Sequence, residues 1–250
     1  MRAFLPLLGL LSLAVVVACA TSPLGRRQLI LVSGEQMVEL GVTSFTQMKK
    51  EMPAAKDPKV VAYVNCVARN VTSVMPPNKW EVQVFEDQNV NAFALPGGKI
   101  GVFTGLLKAA QNQDQLAAVI GHEVAHVLAN HSAERVSEGM AAQGIQQATG
   151  VDPKLFGIAT NVFFLLPHSR AQEAEADVLG LDYMAKAGFD PRQAPVLWEN
   201  MAKASGGNKP PEILSTHPSD QTRIAGLTRR LSVSQPLYEQ AKAAGRKPAC

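Results

Sequence analysis

The sequence Gly-His-Glu-Val-Ala-His at 121–126 places two histidines four residues apart inside an apolar stretch. On a helix, this spacing puts the imidazoles of His122 and His126 on one face, one turn apart, where they can share a metal ion. Glu123 lies on the adjacent side of the helix. Zinc lowers the pKa of a bound water to about 7, and a neighbouring carboxylate can accept its proton. The spacing therefore predicts a metal-binding helix with Glu123 as the base.

The residues that flank this run bear on the simplest alternative, two histidines on a solvated helix face. The flanking side chains are almost all apolar and include Leu116, Ala117, Val119, Ile120, Val124 and Val127. Such a helix is expected to be buried, and two imidazoles and a carboxylate destabilise a buried helix unless they have partners. The pattern therefore favours a metal centre over a surface helix.

A catalytic zinc ion usually has three protein ligands and a water, so a third ligand is needed. His131 is nearest, but on an ideal continuous helix it lies about 180° around the axis from His122. It also does not fit the metzincin spacing HExxHxxGxxH. Glu173 and Asp177 are better candidates, because they are four residues apart and share a helix face. One can bind the metal while the other accepts a hydrogen bond from a ligand imidazole. Glu175 is expected to face elsewhere.

Capping residues and hydrophobic periodicity predict a mostly helical chain. Helices are expected over 34–51 after Ser33, from Asp57 to Met75, from Asp114 to about Ala133, over 134–149 as a continuation or a restart of that helix, over 155–166, from Ser169 to Gly188, and from Asp190. Alternating patterns over 81–85, 91–95 and 99–103 predict a small antiparallel sheet. The apolar 155–166 helix is expected in the core, with a mobile position over a cleft or on lipid as the alternative. The fold class is therefore α+β and helix-dominated, with a tether over 19–32, one domain over 33–250, and a loop over 205–211.

Residues 1–18 have the character of an export signal, because a positive start is followed by an apolar run too short to cross a bilayer. Val-Val-Ala-Cys at 16–19 resembles a bacterial lipobox, in which Cys19 is acylated. The alternative is an ordinary signal peptide that contains a cysteine. Ala20 follows Cys19, and by resemblance to Gram-negative lipoproteins this favours the periplasmic face of the outer membrane. An acyl anchor holds a protein on a membrane, not through it.

Two further cysteines, Cys66 and Cys250, remain if Cys19 carries lipid. An exported protein lies in an oxidising compartment, where two cysteines are expected to pair. The alternative is two free thiols.

The distribution of charge along the sequence argues against nucleic acid as a partner. The formal net charge is +3, and the basic residues are spread along the chain rather than gathered on one stripe. Nucleic-acid-binding domains concentrate their basic residues. The expected partners are therefore protein substrates and a membrane, not nucleic acid.

Four stretches, taken in order, resemble the gluzincin metallopeptidase family that contains HtpX, LoiP, BepA and the CAAX prenyl proteases. They are Asn-Ala-Phe-Ala-Leu-Pro-Gly-Gly at 91–98, the run at 121–126, Ser169 through Asp177, and Thr216-His217-Pro218 with Arg223. The resemblance implies a zincin catalytic domain with one zinc ion per chain on His122, His126 and Glu173. It makes Asp177 the partner of a ligand imidazole. LoiP-like lipoproteins are the closest analogy within the family, and the ligand set favours zinc over manganese or cobalt.

His217 has three interpretations. In BepA-like members of the resembled family, the matching histidine can occupy the open position of the metal and hold the enzyme inactive. It can instead act in catalysis by stabilising the oxyanion that forms during attack. The simplest alternative is a loop histidine that caps a helix beginning at Pro218.

The strand that begins with Asn91, Ala92 and Phe93 is a candidate substrate-binding strand. An extended peptide can add to the edge of a sheet and present its carbonyl group to the metal. This kind of binding depends mainly on hydrogen bonds to the main chain of the substrate, so we expect low specificity for its side chains.

Together these features predict a zinc-dependent endopeptidase that hydrolyses unfolded or misassembled cell-envelope proteins in quality control. The alternative is a latched, chaperone-like zinc-binding lipoprotein with little proteolysis. A purely structural anchor is a third class, and it predicts that no metal is bound.

Overall fold

The computed structural model describes residues 19–145, 150–204, 213–217 and 221–250 of the 250-residue chain. They form a helix-dominated α+β fold, which confirms the predicted fold class. The helices are α1 (Gly34–Glu51), α2 (Pro58–Thr72), α3 (Gln113–Leu128), α4 (His131–Ala142), α5 (Pro153–Phe164), α6 (Arg170–Lys186), α7 (Gln193–Ala204), α8 (Ile213–Thr216) and α9 (Gln221–Ala243). The strands are β1 (Cys19–Thr21), β2 (Arg27–Leu29), β3 (Glu81–Phe85), β4 (Ala92–Leu95) and β5 (Lys99–Phe103). The signal predicted over 1–18, the loop over 205–211 and the helix start at Pro218 lie outside the described residues.

The predicted helix starts are confirmed by their caps. Ser33 and Gln36 form a capping box at the start of α1, and Ser169 and Gln172 form a second one at the start of α6. Each box satisfies two backbone N–H groups that a helix end leaves unpaired. The second cap fixes where α6 begins, and thereby the position of the acidic residues in its first turns.

The sheet differs from the predicted antiparallel one. Strands β4 and β5 form an antiparallel hairpin, with Leu95 opposite Lys99, but β3 is parallel to β5, with Glu81 opposite Lys99. The strand order is β3-β5-β4. After β3 the chain crosses to the far edge of the sheet and forms β4, and the hairpin then places β5 between β4 and β3, where β5 runs parallel to β3. A salt bridge of 2.8 Å between Lys99 and Glu81 supports this register. Strand β4 consequently lies at an edge of the sheet.

The long helix predicted from Asp114 through Ala133 is interrupted. Helix α3 ends at Leu128, and α4 begins at His131. Between them Asn130 adopts a left-handed backbone with φ of 55°, a conformation that asparagine tolerates better than most residues. The chain changes direction there, so angles measured along one continuous helix do not apply to His131.

The segment predicted as a tether over 19–32 packs on the domain instead. Strands β1 and β2 form an antiparallel hairpin, and Gln28 is buried with its Nε2 atom 2.7 Å from the carbonyl oxygen of Ala129. Arg26 forms salt bridges with Glu134 on α4 and with Glu175 on α6. Two mostly buried carboxylates need a cation, and the hairpin supplies it.

Helix α3 lies at the centre of the fold. It packs against α2, α6, α7 and β4, and every residue from Gln115 to His126 is buried. The apolar flanks of the histidine pair therefore do lie in the core, as their composition predicts.

The apolar segment predicted over 155–166 forms α5. One face carries buried Leu155, Ile158 and Val162, while Phe163 and Phe164 line a cleft. Among the residues that the structure describes, no helix combines the length and apolar character that a membrane span requires. Helix α5 is thus core on one side and cleft wall on the other.

Cys66 on α2 and Cys250 form a disulfide, with their Cα atoms 5.7 Å apart and 184 positions between them in sequence. In the chain-entropy account, closing so long a loop stabilises a protein by up to about 5 kcal/mol. The alternative of two free thiols does not apply to this structure.

Candidate metal centre

Two helices that are distant in sequence supply the three predicted ligands. The Nε2 atoms of His122 and His126 on α3 lie 3.0 Å apart. The carboxylate oxygens of Glu173 on α6 lie 3.5 Å from His122 Nε2 and 3.4 Å from His126 Nε2. All three side chains are buried. The structure therefore brings the predicted ligands together around one point.

Two glycines allow α3 and α6 to approach so closely. A Cβ atom added at Gly121 would lie 2.9 Å from the carbonyl oxygen of Gly180. One added at Gly180 would lie 2.7 Å from the backbone nitrogen of His122. Both contacts are with backbone atoms, which cannot move aside unless the helices separate. The crossing therefore sets how near α6 comes to the first ligand.

Gly180→Ala is expected to separate the two helices, to lower the free energy of unfolding by about 1–3 kcal/mol and to weaken zinc binding. Chemical denaturation and competition with a zinc chelator measure the two effects. Gly157→Ala is the matched control, because no atom lies within 4 Å of its added Cβ and alanine is the better helix former. Zinc affinity equal to the wild type in Gly180→Ala would contradict the role given to the crossing.

The donor set fits a zinc ion. The ligand atoms of His122, His126, Glu173 and His217 all lie within 4.8 Å of one another. Two imidazoles and one carboxylate are a ligand set of catalytic zinc sites. Glu123 Oε1 is buried and has no hydrogen-bond partner among the described residues. That oxygen is available to a water or a reactant, as a base requires.

A second layer of side chains holds the ligands. Asp177 Oδ1 lies 3.1 Å from Nδ1 of His122, so it can accept that proton and leave Nε2 free for a metal. Arg223 donates to Asp177 at 2.7 Å and also contacts Glu173 at 2.6 Å. The indole ring of Trp198 lies 3.9 Å from the guanidinium. The sequence analysis names Arg223 only within the family resemblance and does not name Trp198, yet Arg223 holds both carboxylates of α6 and packs on the Trp198 ring.

His217 lies between the ligands and the base. Its Nδ1 is 2.9 Å from Glu173 Oε1 and 3.3 Å from His122 Nε2, and its Nε2 is 3.5 Å from Glu123 Oε1. His168, to which the sequence assigns no role, stacks on the His217 ring with centroids 4.9 Å apart. The structure thus places His217 within the candidate centre, in contact with both ligand and base.

Comparison with known sequences identifies the family. The family model described as Peptidase family M48 matches residues 54–231, well over half of this chain. The chain belongs to peptidase family M48. The match contains His122, Glu123, His126 and Glu173, so the candidate centre lies within the shared region.

This M48 chain is similar to mitochondrial metalloendopeptidases and to a bacterial protease. The mitochondrial metalloendopeptidase OMA1 of Schizosaccharomyces pombe is 41% identical over 184 residues, which cover 71% of this chain and 55% of that protein. OMA1 of Arabidopsis thaliana is 43% identical over 172 residues, covering 68% and 35%. The beta-barrel assembly-enhancing protease of Escherichia coli is 25% identical over 222 residues, covering 82% and 46%. This chain therefore spans about half the length of these relatives, or less.

Burial and neighbouring polar groups together set the pKa values of this M48 site. It raises the pKa of Glu123, which makes that carboxylate a stronger base than an exposed one. It lowers the pKa of His126 well below the usual range, which favours the neutral form that binds metals. Burial opposes ionisation of Glu173, but its electrostatic interactions with His217 and His122 outweigh burial and lower the Glu173 pKa. Glu173 is therefore an anion, as a metal ligand should be.

His131 and Glu175 are the main residues of the M48 site that the sequence does not reveal. Nδ1 of His131 lies 2.8 Å from Nδ1 of His126, and its Nε2 lies 3.2 Å from Glu175 Oε2. Glu175 faces away from Glu173, as its spacing predicts, but it points at a histidine that contacts a ligand. The signal in the sequence that could have indicated this contact is Asn130, because asparagine tolerates the left-handed backbone at which α3 and α4 separate.

A cleft of about 660 Å³ opens onto the candidate centre. Glu123, His126 and His217 are part of its lining. Much of the rest of the lining is apolar and includes Met48, Met52, Phe93, Phe103, Phe156, Phe163 and Phe164. The predicted substrate residues Asn91, Ala92 and Phe93 also line the cleft, beside the edge strand β4. An extended chain could therefore reach both the base and an apolar subsite.

Proposed function

We propose that this chain is a zinc-dependent metalloendopeptidase that cleaves unfolded or misassembled cell-envelope proteins. The observation that carries the proposal is the convergence of His122, His126 and Glu173 beside Glu123, whose Oε1 accepts no hydrogen bond from the described residues. Membership of peptidase family M48 supports it, as do relatives named as a metalloendopeptidase and a protease.

Each residue of the centre has a chemical task. A zinc ion held by His122, His126 and Glu173 would polarise the scissile carbonyl group and lower the pKa of a water to about 7. Glu123 Oε1 accepts a proton from the attacking water and returns it to the leaving nitrogen. Asp177, 3.1 Å from Nδ1 of His122, keeps the other nitrogen of that ring free.

The cleft indicates the class of substrate. Strand β4 is an edge strand of the sheet among the described residues, and an extended peptide can pair with such a strand through its main chain. The aromatic residues that line the cleft suit large apolar side chains, which folded proteins bury and unfolded chains expose. Both features favour an unfolded polypeptide over a folded one.

The proposed location is the periplasmic face of the outer membrane in a Gram-negative bacterium, with acylated Cys19 as the anchor of a LoiP-like lipoprotein. Its support is the apolar run over 1–18 and the lipobox-like sequence that ends at Cys19. The relatives include mitochondrial and bacterial proteins. The location therefore depends on residues 1–19 alone.

Metal removal and substrate folding test the proposal. The purified protein is expected to carry one zinc ion per chain and to cleave reduced, unfolded casein. A tightly folded protein of similar size should remain intact. Treatment with 1,10-phenanthroline should stop cleavage, and stoichiometric zinc should restore it. Cleavage that persists after complete metal removal would refute the assignment, and preferential cleavage of the folded substrate would refute the substrate class.

A further inference from the structure

A histidine and a carboxylate lie directly behind the candidate ligand His126. The His126 ring has one nitrogen, Nε2, beside the ligand atoms of His122 and Glu173 and the other, Nδ1, 2.8 Å from Nδ1 of His131. Nε2 of His131 is 3.2 Å from Oε2 of Glu175. His131 is completely buried, and Glu175 is 5% exposed. These three side chains, His126–His131–Glu175, are here called the relay.

Hydrogen-bonding roles allow one proton arrangement that is compatible with metal binding. An ionised Glu175 can only accept, so Nε2 of His131 must donate to it. In a neutral His131, Nδ1 then carries a lone pair and accepts from the Nδ1–H group of His126. This leaves Nε2 of His126 with a lone pair that faces the cluster. The opposite arrangement would put a proton on Nε2 of His126, where it would exclude a metal.

The N-terminal hairpin fixes the far end of the relay. The backbone N–H of Leu24 donates to Glu175 Oε1 at 3.1 Å, and Arg26 Nε donates to Glu175 Oε2 at 3.2 Å. Arg26 also binds Glu134 on α4 through both terminal nitrogens. The carboxylate that orients His131 is therefore itself oriented by a segment far away in sequence.

We propose that His131 and Glu175 are positioning residues, which hold His126 in the tautomer that presents Nε2 to the metal, and that the hairpin locks them through Arg26. The inference rests on the proposed function, because it requires His126 to be a metal ligand. Partners of this kind typically change metal affinity by about 10- to 100-fold.

Two substitutions at His131 test the relay in the zinc-loaded protein. His131→Leu removes the acceptor and is expected to raise the zinc dissociation constant by about 10- to 100-fold in chelator competition. His131→Asn places an amide oxygen near the position of Nδ1, so it should restore most of that affinity. In ¹⁵N-labelled protein, the Nδ1–H signal of His126 should be protected in the wild type and in His131→Asn, and lost by exchange in His131→Leu. Equal zinc affinity in the two variants would overturn the relay.

Two substitutions of carboxylates separate the relay from the hairpin. Glu175→Gln removes the charge that orients His131, so zinc affinity should fall. Glu134→Gln is the control, because Glu134 binds the same Arg26 but has no hydrogen bond to His131. Equal losses in both variants would overturn the relay, as would no loss in Glu175→Gln. A wild-type protein that binds no zinc would instead refute the proposed function, so the two failures are distinguishable.

Discussion

Glu123→Gln is expected to lower the cleavage of unfolded casein by about 10²- to 10⁴-fold while zinc remains bound. The amide has nearly the shape of the carboxylate but cannot accept a proton at neutral pH. Glu123 is not among the clustered ligand atoms, so the metal content should not change. Its buried Oε1, without a hydrogen-bond partner in the part of the chain that the structure describes, is the atom that loses its function.

The measurement compares initial cleavage rates and zinc content in the wild type and the variant. Glu138→Gln is the matched control, because Glu138 is an exposed residue of α4 and the change in charge is the same. The control should cleave at the wild-type rate. Casein cleavage by Glu123→Gln at a rate near that of the wild type would exclude Glu123 as the base. Loss of zinc together with activity would show a structural effect in place of a catalytic one.

Local signals account for most of the fold that the sequence predicts. The capping boxes at Ser33 and Ser169 and the Asp57-Pro58 start each depend on residues within one helical turn, and each is present in the structure. Strands 81–85 and 99–103 have the predicted bounds for the same reason, because alternation is a local pattern. Such features require no knowledge of distant residues.

Non-local pairing accounts for what the sequence does not predict. The parallel partnership of β3 with β5 depends on the order of strands, which alternation does not specify. The break at Asn130 turns α4 away from the line of α3 through a single left-handed residue. The hairpin over 19–29 has few apolar residues and reads as a tether, yet Arg26 docks it on two carboxylates.

In the candidate site, too, the residues that lie close together in sequence are predicted, and those that meet only through packing are not. His122, Glu123 and His126 lie on one helix, so their spacing alone predicts the pair of imidazoles and the base. Glu173 is placed by resemblance together with its spacing from Asp177. Residues that act through another side chain, such as His131 and Glu175, have no recognisable spacing in the sequence. Their contacts depend on how α3, α4 and α6 pack against one another.

His217→Ala is expected to raise peptidase activity. His217 is grouped with the ligands His122, His126 and Glu173, and its Nδ1 lies 2.9 Å from Glu173 Oε1 and 3.3 Å from His122 Nε2. Four protein ligands would leave no open position on a tetrahedral zinc ion. The ring is further held by stacking on His168. With His217 as a fourth ligand the site would be closed, and the imidazole would have to move before a substrate carbonyl could enter.

The size of the effect follows from the population of the open form. A contact of a few kcal/mol leaves an open state populated at about 0.1–10%, so its removal should raise kcat/KM for a short unstructured peptide about tenfold or more. Thr216→Ala is the control, since it alters the neighbouring residue, the last of α8, without removing a clustered ligand atom. Zinc content should be unchanged in both variants, because three ligands remain. A fall of about 10²- to 10³-fold in kcat for His217→Ala would instead assign His217 to oxyanion stabilisation, and would show that the imidazole leaves the ligand cluster in order to act on the substrate.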